Sequence, residues 1–277
     1  MSGDFLAAMA EGSRARVREA RRTRSEAALA DAARRLPPPP PLRLDGSGFD
    51  LIAELKLRSP AAGQLRGADE DVSARVTAYA RAGVAAVSVL TEPARFAGAL
   101  AHLAEASRTL VPLGVPAMRK DFLVEPYQVL EARVAGAGGV LVILRMLPRA
   151  ALAALLECAR AHGMFVLLEA FDAGDIELMH ELIAAQRGSQ ALLAGVNCRD
   201  LVTLQVVTGR LLELAPLLPA GVPRVAESGV SSAADARRVA AAGYQLALVG
   251  SALMQGDDPE QLARELLGAG RAARRSG

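Results

Sequence analysis

The sequence contains no tryptophan, and aromatic residues make up only 3% of its 277 residues. Lysine is almost missing too, since Lys56 and Lys120 are the only lysines among 32 basic residues. Arginine stays charged at any working pH, whereas a partly buried lysine can lose its proton and deliver it to a substrate. In a chain that uses arginine for almost every cation, the two lysines are therefore the first candidates for chemistry.

Cysteine and histidine are scarce as well. The two cysteines, Cys158 and Cys198, do not resemble a disulfide framework. The three histidines fall in helical patterns without the spacing of metal ligands. We therefore expect neither a structural disulfide nor a bound metal.

Long apolar runs are absent from the sequence. None reaches the roughly 20 residues of a membrane span, and the first residues lack the apolar segment of a signal peptide. The net charge is only +2. Residues 14–24 are rich in arginine, but acidic residues dilute the charge and no aromatics are interleaved, which favours a solvated helix face over a nucleic-acid site. We expect a cytoplasmic protein with neither a nucleic-acid nor a membrane partner.

The chain divides near residue 45. Residues 1–36 carry apolar positions among Ala, Arg and Glu that predict a helical arm, and the prolines at 37–41 then favour an extended segment. We predict an N-terminal helical arm with a Pro-rich linker over residues 1–45 and a catalytic barrel domain over residues 46–277.

A single pattern repeats eight times from residue 49 onward: a short apolar run, a polar or glycine-bearing turn, and an amphipathic stretch. Such runs are typical of parallel strands buried on both faces, and eight units in about 225 residues fit an α/β protein with a (β/α)8 TIM barrel. The turn after the first run lacks the glycine-rich dinucleotide fingerprint of a doubly wound sheet. The runs lie at residues 51–55, 84–90, 115–118, 139–144, 165–168, 192–196, 223–226 and 246–249. The helical candidates lie at residues 71–82, 97–110, 126–135, 149–161, 173–186, 211–218, 233–242 and 259–267.

Chemically useful side chains collect just past these runs, where a barrel of this kind builds its active site. Both lysines fall there, and Glu54 and Glu169 are placed to face them. The turns after the seventh and eighth runs, residues 227–230 and 250–252, are small and contain glycine. Barrels commonly bind phosphate at these two strands through backbone N–H groups, so we predict a phosphate site.

Seven stretches, taken in their order along the chain, form a recognisable set. They are Ile52-Ala53-Glu54-Leu55-Lys56 with Ser59-Pro60, Ser88-Val89-Leu90-Thr91-Glu92-Pro93, Arg119-Lys120-Asp121-Phe122, residues 126–133, Asn197 with Arg199-Asp200, Ala226-Glu227-Ser228-Gly229-Val230 and Val249-Gly250-Ser251. Together they resemble the indole-3-glycerol phosphate synthase family, the (β/α)8 lyases of tryptophan biosynthesis. The resemblance covers residues 49–259, and the basic arm is similar to the N-terminal extension of the family.

The resemblance implies closure of 1-(2-carboxyphenylamino)-1-deoxyribulose 5-phosphate to indole-3-glycerol phosphate, with loss of carbon dioxide and water and without a cofactor. Lys120 matches the general acid that protonates the ribulose carbonyl. Lys56 and Glu169 match positions used in the later acid and base steps, whose order stays open. Glu54 would hold the Lys56 ammonium in place.

The remaining positions match groups that bind the substrate. Arg199, together with Lys56 and Ser59, is suited to bind the anthranilate carboxylate. Asn197 matches a catalytic position and is suited to bind a sugar hydroxyl. The other substrate-binding positions are Phe96 and Phe122 at the aromatic ring and Glu227, Ser228, Gly229, Gly250 and Ser251 near the phosphate.

Four departures from the family pattern affect the surroundings of these groups. Leu57 stands where relatives often carry a basic residue, and Ala61-Ala62 replace a usual Ser-Lys in the first loop. Phe171 replaces a common histidine, and Cys198 replaces an amide or small residue. These changes remove no proposed catalytic group, but they leave open a slower enzyme or one specialised for a modified anthranilate.

Two other functions stay open at this point. One is a neighbouring phosphate-binding barrel such as phosphoribosylanthranilate isomerase, which needs no paired lysines. The other is a weakly active barrel kept as a scaffold in a pathway complex. If the chain is a synthase, as the resemblance implies, we expect a small phosphorylated substrate, a monomer, and weak association with neighbouring pathway enzymes.

Overall fold

The computed structural model of the protein describes residues 2–67, 69–186, 191–200 and 203–275, and side chains from residue 5 onward. Eight parallel strands close into a barrel with helices around it, which confirms the predicted TIM barrel with an N-terminal helical extension. Around the barrel the strands follow their order in the chain, and the last strand, Leu246–Val249, pairs with the first, Asp50–Leu55, to close it. Two short strands, Arg58–Ser59 and Gly63–Gln64, form a small hairpin in the first loop.

The bounds of the elements are as follows. The strands are β1 (Asp50–Leu55), β2 (Arg58–Ser59), β3 (Gly63–Gln64), β4 (Ala86–Leu90), β5 (Ala117–Lys120), β6 (Gly139–Ile143), β7 (Phe165–Ala170), β8 (Leu192–Asn197), β9 (Arg224–Glu227) and β10 (Leu246–Val249). The helices are α1 (Ser2–Thr23), α2 (Glu26–Arg35), α3 (Val72–Ala82), α4 (Pro93–Phe96), α5 (Leu100–Leu110), α6 (Pro126–Val134), α7 (Arg149–Ala161), α8 (Ala173–Ala185), α9 (Gly209–Leu214), α10 (Ala233–Ala241), α11 (Ser251–Gln255) and α12 (Pro259–Arg275).

The strands form where the sequence concentrates apolar residues because both of their faces are covered. One face points into the barrel and the other packs beneath the helices, and nearly every strand position is buried. Glycines end several helices in the left-handed conformation, as Gly83 does after α3 with a φ of 87°. This conformation turns the chain sharply back toward the next strand.

The predicted ends of four strands were wrong in the same direction. The apolar runs stop before Lys120, Glu169, Asn197 and Glu227, yet each of these residues belongs to its strand. Hydrogen bonding to the neighbouring strands continues after hydrophobicity ends, because a polar side chain can point into an open cavity at the mouth of the barrel. The backbone ladder therefore fixes these four residues directly.

Two helical predictions also needed correction. Residues 97–99 are not helical, and the short α4 lies before them, where Pro93 begins the helix and the Glu92 side chain accepts hydrogen bonds from two backbone N–H groups. The last helix runs well beyond residue 267, to Arg275. Its extension carries Arg271, whose side chain contacts Asp50 at the amino-terminal end of the barrel.

The basic arm is not simply a solvated helix face. Arg16 forms an ion pair of 2.8 Å with the buried carboxylate of Asp121, and its guanidinium lies 3.5 Å from Glu92. Arg21 pairs with Glu125 at 2.6 Å and lies over the ring of Tyr127. The arm is thus docked on the barrel by two of its arginines. The domain boundary at residue 45 stays a prediction.

A second ionic cluster closes the amino-terminal end of the barrel. Asp50, at the start of β1, accepts a hydrogen bond of 2.9 Å from Arg271 of α12 and one of 2.7 Å from the backbone N–H of Asp45. The carboxylate is almost fully buried, with 4% of its side chain exposed.

No helix in the described part of the chain has the length and apolar character needed to cross a membrane.

Candidate active site

A cavity of about 480 Å³ opens at the carboxyl end of the barrel strands. Every residue that the sequence predicted for the site lines this cavity, although their individual roles stay predictions. They are Glu54, Lys56, Ser59, Phe96, Lys120, Phe122, Glu169, Asn197, Arg199, Glu227, Ser228, Gly229, Gly250 and Ser251. The cavity has a charged floor, an aromatic side and a glycine-bearing side.

Lys120 occupies the centre of the floor. Its Nζ lies 3.1 Å from Glu169 Oε2 and 3.2 Å from Glu227 Oε2, so two strands hold one ammonium between them. Burial opposes the charge, but the carboxylates of Glu169, Glu227 and Glu54 outweigh it and raise the pKa of Lys120. The free protein therefore keeps Lys120 protonated.

The surroundings of Glu227, in contrast, disfavour its charged form. Its side chain is only 1% exposed. Burial first, and the nearby charge of Glu169 second, raise the pKa of Glu227 well above its ordinary value, against the opposing effect of Lys120. Two carboxyl groups that share one ammonium in a buried space cannot both ionise easily, which is why the pKa of Glu227 rises despite the nearby ammonium.

The second lysine has its own partner. Lys56 Nζ lies 2.6 Å from Glu54 Oε2, and this pair comes from the end of β1. Burial would raise the pKa of Glu54, but Lys56, Lys120 and Arg199 outweigh it, so the pKa is lowered and Glu54 stays ionised. A Cβ at Gly250 would come within 2.1 Å of Glu54 Oε2, so only glycine leaves space for this carboxylate.

Asn197 organises the end of β8. Its Oδ1 accepts hydrogen bonds from the backbone N–H of Arg199 at 2.9 Å and from the hydroxyl of Ser228 at 3.0 Å. The Arg199 guanidinium donates to the carbonyl of Leu204 at 2.7 Å, which folds the following loop back on itself. Asn197 thereby links the arginine proposed for a carboxylate to the serine proposed for a phosphate.

The glycine-bearing side is built for close approach of a ligand. Ser228 has a φ of 66°, in the left-handed region that non-glycine residues rarely adopt, and Gly229 follows with a φ of 72°. A Cβ at Gly229 would lie 3.0 Å from Cys198 Sγ. Gly250 precedes α11, which begins at Ser251. Ser228, Gly229, Gly250 and Ser251 all line the cavity on this side.

The aromatic side combines residues from the barrel and from the arm. The Phe122 ring packs against Phe96 with centroids 6.1 Å apart, and Phe5 of α1 meets it edge-on at 5.9 Å. Phe5 and Leu6 both line the cavity. No local pattern indicated that the arm reaches the site, because its docking depends on tertiary contacts such as that of Arg16 with Asp121.

Several other lining residues were missed. Leu204 and Val206 belong to the loop after β8, and Asp235 belongs to the first turn of α10. Backbone pairing of Arg199 with Val206 brings this loop over the cavity. A local sequence pattern does not reveal such a bridge, although the turn-forming Asp200 that precedes it could have suggested a fold-back.

Two arginine side chains of the first loop anchor it to backbone carbonyls at the ends of two neighbouring helices. Arg58 donates to the carbonyl of Arg95 at 3.0 Å and also to that of Ala94, at the end of α4. Arg66 donates to the carbonyls of Met254 at 2.5 Å and Gly256 at 3.1 Å, at the end of α11. These bonds keep Ser59, Pro60 and Ala61 at the rim of the cavity.

Phe171 and Cys198, which also depart from the family pattern, are both buried. The Phe171 ring lies in the cavity wall with the Arg145 guanidinium 4.9 Å from its centroid. Cys198 is fully buried, and burial raises the pKa of its thiol to about 11. A cluster of three or more His, Cys, Asp or Glu side chains with the geometry of a metal site does not occur among the residues whose placement is described.

Comparison with solved structures supports the fold alone. The 3-hexulose-6-phosphate synthase of Salmonella typhimurium superposes with a TM-score of 0.60 at 14% identity, covering 80% of this chain and 98% of that chain. Thiamine phosphate pyrophosphorylase from Pyrococcus furiosus gives a TM-score of 0.58 at 15% identity, covering 82% of this chain and 98% of that one. At such identities the shared barrel does not indicate a shared reaction.

Sequence comparison is far more specific. The family model for indole-3-glycerol phosphate synthase matches residues 6–266. The enzyme of that name from Parafrankia sp. is 42% identical over 262 residues, covering 94% of each chain. The one from Methanopyrus kandleri is 42% identical over 232 residues, covering 83% of this chain and 87% of the relative. The chain belongs to the indole-3-glycerol phosphate synthase family.

Proposed function

We propose that the cavity binds 1-(2-carboxyphenylamino)-1-deoxyribulose 5-phosphate and closes it to indole-3-glycerol phosphate in tryptophan biosynthesis. The reaction releases one carbon dioxide and one water, so the chain acts as a carbon–carbon lyase. The observation that carries the proposal is the position of Lys120 between Glu169 and Glu227 on the floor of the cavity.

The substrate has an anion at each end and an aromatic ring next to one of them. The phosphate suits the backbone N–H groups around Ser228, Gly229, Gly250 and Ser251, which lie on one side of the cavity. The ring suits the space beside Phe96 and Phe122, and Phe5 completes that aromatic side. Lys56, Arg199 and Ser59 are the partners for the ring carboxylate. Held in this way, the ring carbon and the ribulose carbonyl are brought together.

The first chemical step joins the ring carbon that bears the carboxylate to the C2 carbonyl carbon of the ribulose. The carbonyl π electrons move to oxygen, and Lys120 donates a proton to that oxygen. Loss of carbon dioxide then returns an electron pair to the ring and restores its aromaticity. General acid catalysis of this kind contributes roughly 10²–10⁴-fold in rate.

The second part removes water. The C2 hydroxyl leaves with a proton, and a proton is removed from the neighbouring C1 carbon to form the double bond of the indole. Lys56 and Glu169 are the acid and base candidates, since one lies on each side of the floor. Glu54 holds Lys56 at 2.6 Å, and we assign Asn197 to a sugar hydroxyl of the substrate.

The test is turnover of the purified chain with this substrate, followed through the fluorescence of the indole product. We expect the wild-type chain to be active and Lys120→Ala to lose at least about a hundredfold in kcat, near 2.7 kcal/mol of transition-state stabilisation. Arg149→Ala is the matched control, because Arg149 is an exposed cation paired with Glu181 outside the cavity.

The proposal fails if the wild-type chain forms no indole-3-glycerol phosphate. The assignment of Lys120 as the acid fails if the alanine variant keeps a nearly normal rate.

A further inference from the structure

Gly195 lies in the interior of β8, where a glycine weakens a strand unless something needs the space of its missing side chain. It is buried and pairs in register with Glu169 on β7 and with Val225 on β9. Its register partner Glu169 points to the floor of the cavity. The absent side chain of Gly195 would therefore point inward, toward the same floor.

The space next to Gly195 is filled by Glu227. A Cβ at Gly195 would come within 2.3 Å of Glu227 Oε1, a distance that real Cβ atoms do not reach. Glu227 Oε1 is buried and makes no hydrogen bond in the described part of the structure. The other oxygen of the same carboxyl group, Oε2, accepts a hydrogen bond of 3.2 Å from Lys120, and Oε1 occupies the space beside Gly195.

We propose that Gly195 is a positioning residue for the catalytic ammonium: its missing side chain lets Glu227 extend beneath Lys120 and hold it opposite Glu169. This inference rests on the proposed function, because it concerns the general acid of that reaction. A methyl group at position 195 would push the Glu227 carboxyl away from the barrel wall. Lys120 would then keep one of its two partners and lose its fixed position.

Gly195 also has a competing structural explanation. Its Cβ would lie 2.9 Å from Leu167 Cδ1 and 3.2 Å from the carbonyl oxygen of Leu168. If strand packing alone requires the glycine, an alanine would destabilise the barrel through Leu167 without acting through Glu227. The experiment must therefore separate these two neighbours.

The experiment combines Gly195→Ala with a shorter side chain at each neighbour in turn. We expect Gly195→Ala to lower kcat/KM by roughly tenfold to a hundredfold, in keeping with the cost of misplacing a catalytic group by about 1 Å. In a Glu227→Asp background the added methyl has room, so the same change should cost less than about twofold relative to Glu227→Asp alone. In a Leu167→Val background the loss should persist. Gly268→Ala is the control for adding a methyl group, because its Cβ would meet nothing within 4 Å.

A second readout does not depend on turnover. Because the chain has only two lysines, ¹⁵N-lysine labelling gives two side-chain ammonium signals, and Lys56→Arg assigns them. An ammonium held by hydrogen bonds exchanges its protons slowly enough for its N–H cross-peak to be observed, whereas a released one does not. We expect the Lys120 cross-peak in the wild type and in Leu167→Val, and its loss in Gly195→Ala and in Gly195→Ala/Leu167→Val.

The proposal is overturned if Gly195→Ala keeps wild-type kinetics and the Lys120 cross-peak, or if Leu167→Val abolishes the effect and Glu227→Asp does not. If Gly195→Ala does not fold, the double variant with Glu227→Asp should fold, and its failure to do so also overturns the proposal. A wild-type chain without synthase activity that still shows the cross-peak pattern refutes the reaction and leaves the positioning intact.

Discussion

Asp50 and Glu54 are buried carboxylates on the same strand, β1, but they lie at opposite ends of the barrel. At the amino-terminal end, Asp50 pairs with Arg271, and burial outweighs its hydrogen bonds, so its pKa is raised. At the carboxyl end, Glu54 is surrounded by Lys56, Lys120 and Arg199, which outweigh burial and lower its pKa.

The contrast separates charge that holds the barrel together from charge that is available for chemistry. Asp50 and Arg271 seal the barrel against α12, and nearly all of the carboxylate is covered by protein. Glu54 and Lys56 border a cavity that a substrate can enter. One strand therefore carries a structural ion pair at its start and a candidate catalytic one at its end.

The largest expected effect that tests this contrast is on turnover. Glu54→Gln removes the partner that Lys56 contacts at 2.6 Å. A charge-assisted hydrogen bond of this type contributes about 1.5–3 kcal/mol, so we expect kcat/KM to fall roughly 10- to 150-fold while the protein remains folded. Steady-state kinetics and circular dichroism measure the two properties. An unchanged kcat/KM would mean that Lys56 needs no anchor.

An intermediate effect, on folding stability, is expected at the amino-terminal end of the barrel. Arg271→Ala leaves the Asp50 carboxylate without its cation and should cost about 1–3 kcal/mol of folding stability, which lowers Tm by several degrees. The kcat/KM of the remaining folded enzyme should stay within about twofold.

The matched control for that change is Arg264→Ala on the same helix. Arg264 pairs with Glu260 at the surface, where 59% of its side chain is exposed, so its loss should change stability by less than about 1 kcal/mol. Equal losses in the two variants, or a large loss of kcat/KM in Arg271→Ala, would contradict the division between the ends.

The smallest effect concerns pH. Because the pKa of Glu54 is lowered by folding, its charge stabilises the folded state above the ordinary pKa, and this stabilisation is lost as the pH falls through the folded value. The pKa of Asp50 is raised, so its contribution is most favourable in acid and is lost as the pH rises through the folded value.

Thermal unfolding of the wild type, Glu54→Gln and Asp50→Asn between about pH 3.5 and pH 6 tests this difference. As the pH rises, the wild type should gain stability relative to Glu54→Gln and lose stability relative to Asp50→Asn. Parallel curves for the two variants would contradict the opposite shifts.

Much of this architecture could be predicted from the sequence because strand burial produces a local signal. The eight apolar runs located every barrel strand, and the scarcity of lysine singled out Lys56 and Lys120 before any family was considered. Hydrophobicity could not locate the strand ends, since Glu169 and Glu227 are polar residues that remain in the hydrogen-bonded ladder.

Contacts between distant residues could not be predicted in this way. The Arg-rich pattern of the arm is compatible with solvent exposure, and only the fold brings Arg16 to Asp121. Nothing local distinguishes Gly195 within the apolar run at residues 192–196. Its significance depends on Glu227, which comes from the next strand and fills the space beside it. Pairings of this kind are tertiary and leave no periodic trace.

The docking of α1 also has a consequence for how the protein is made. The ribosome synthesises α1 before the barrel, and Asp121 lies 105 residues after its partner Arg16. In the folded protein Val17 packs in one cluster with Tyr127 and Leu130, which are synthesised equally late. Until these residues have emerged, we expect the apolar face of the arm, which includes Leu6 and Val17, to be exposed. Because exposed apolar surface on a nascent chain invites misassembly, the N-terminal arm should benefit from protection during translation.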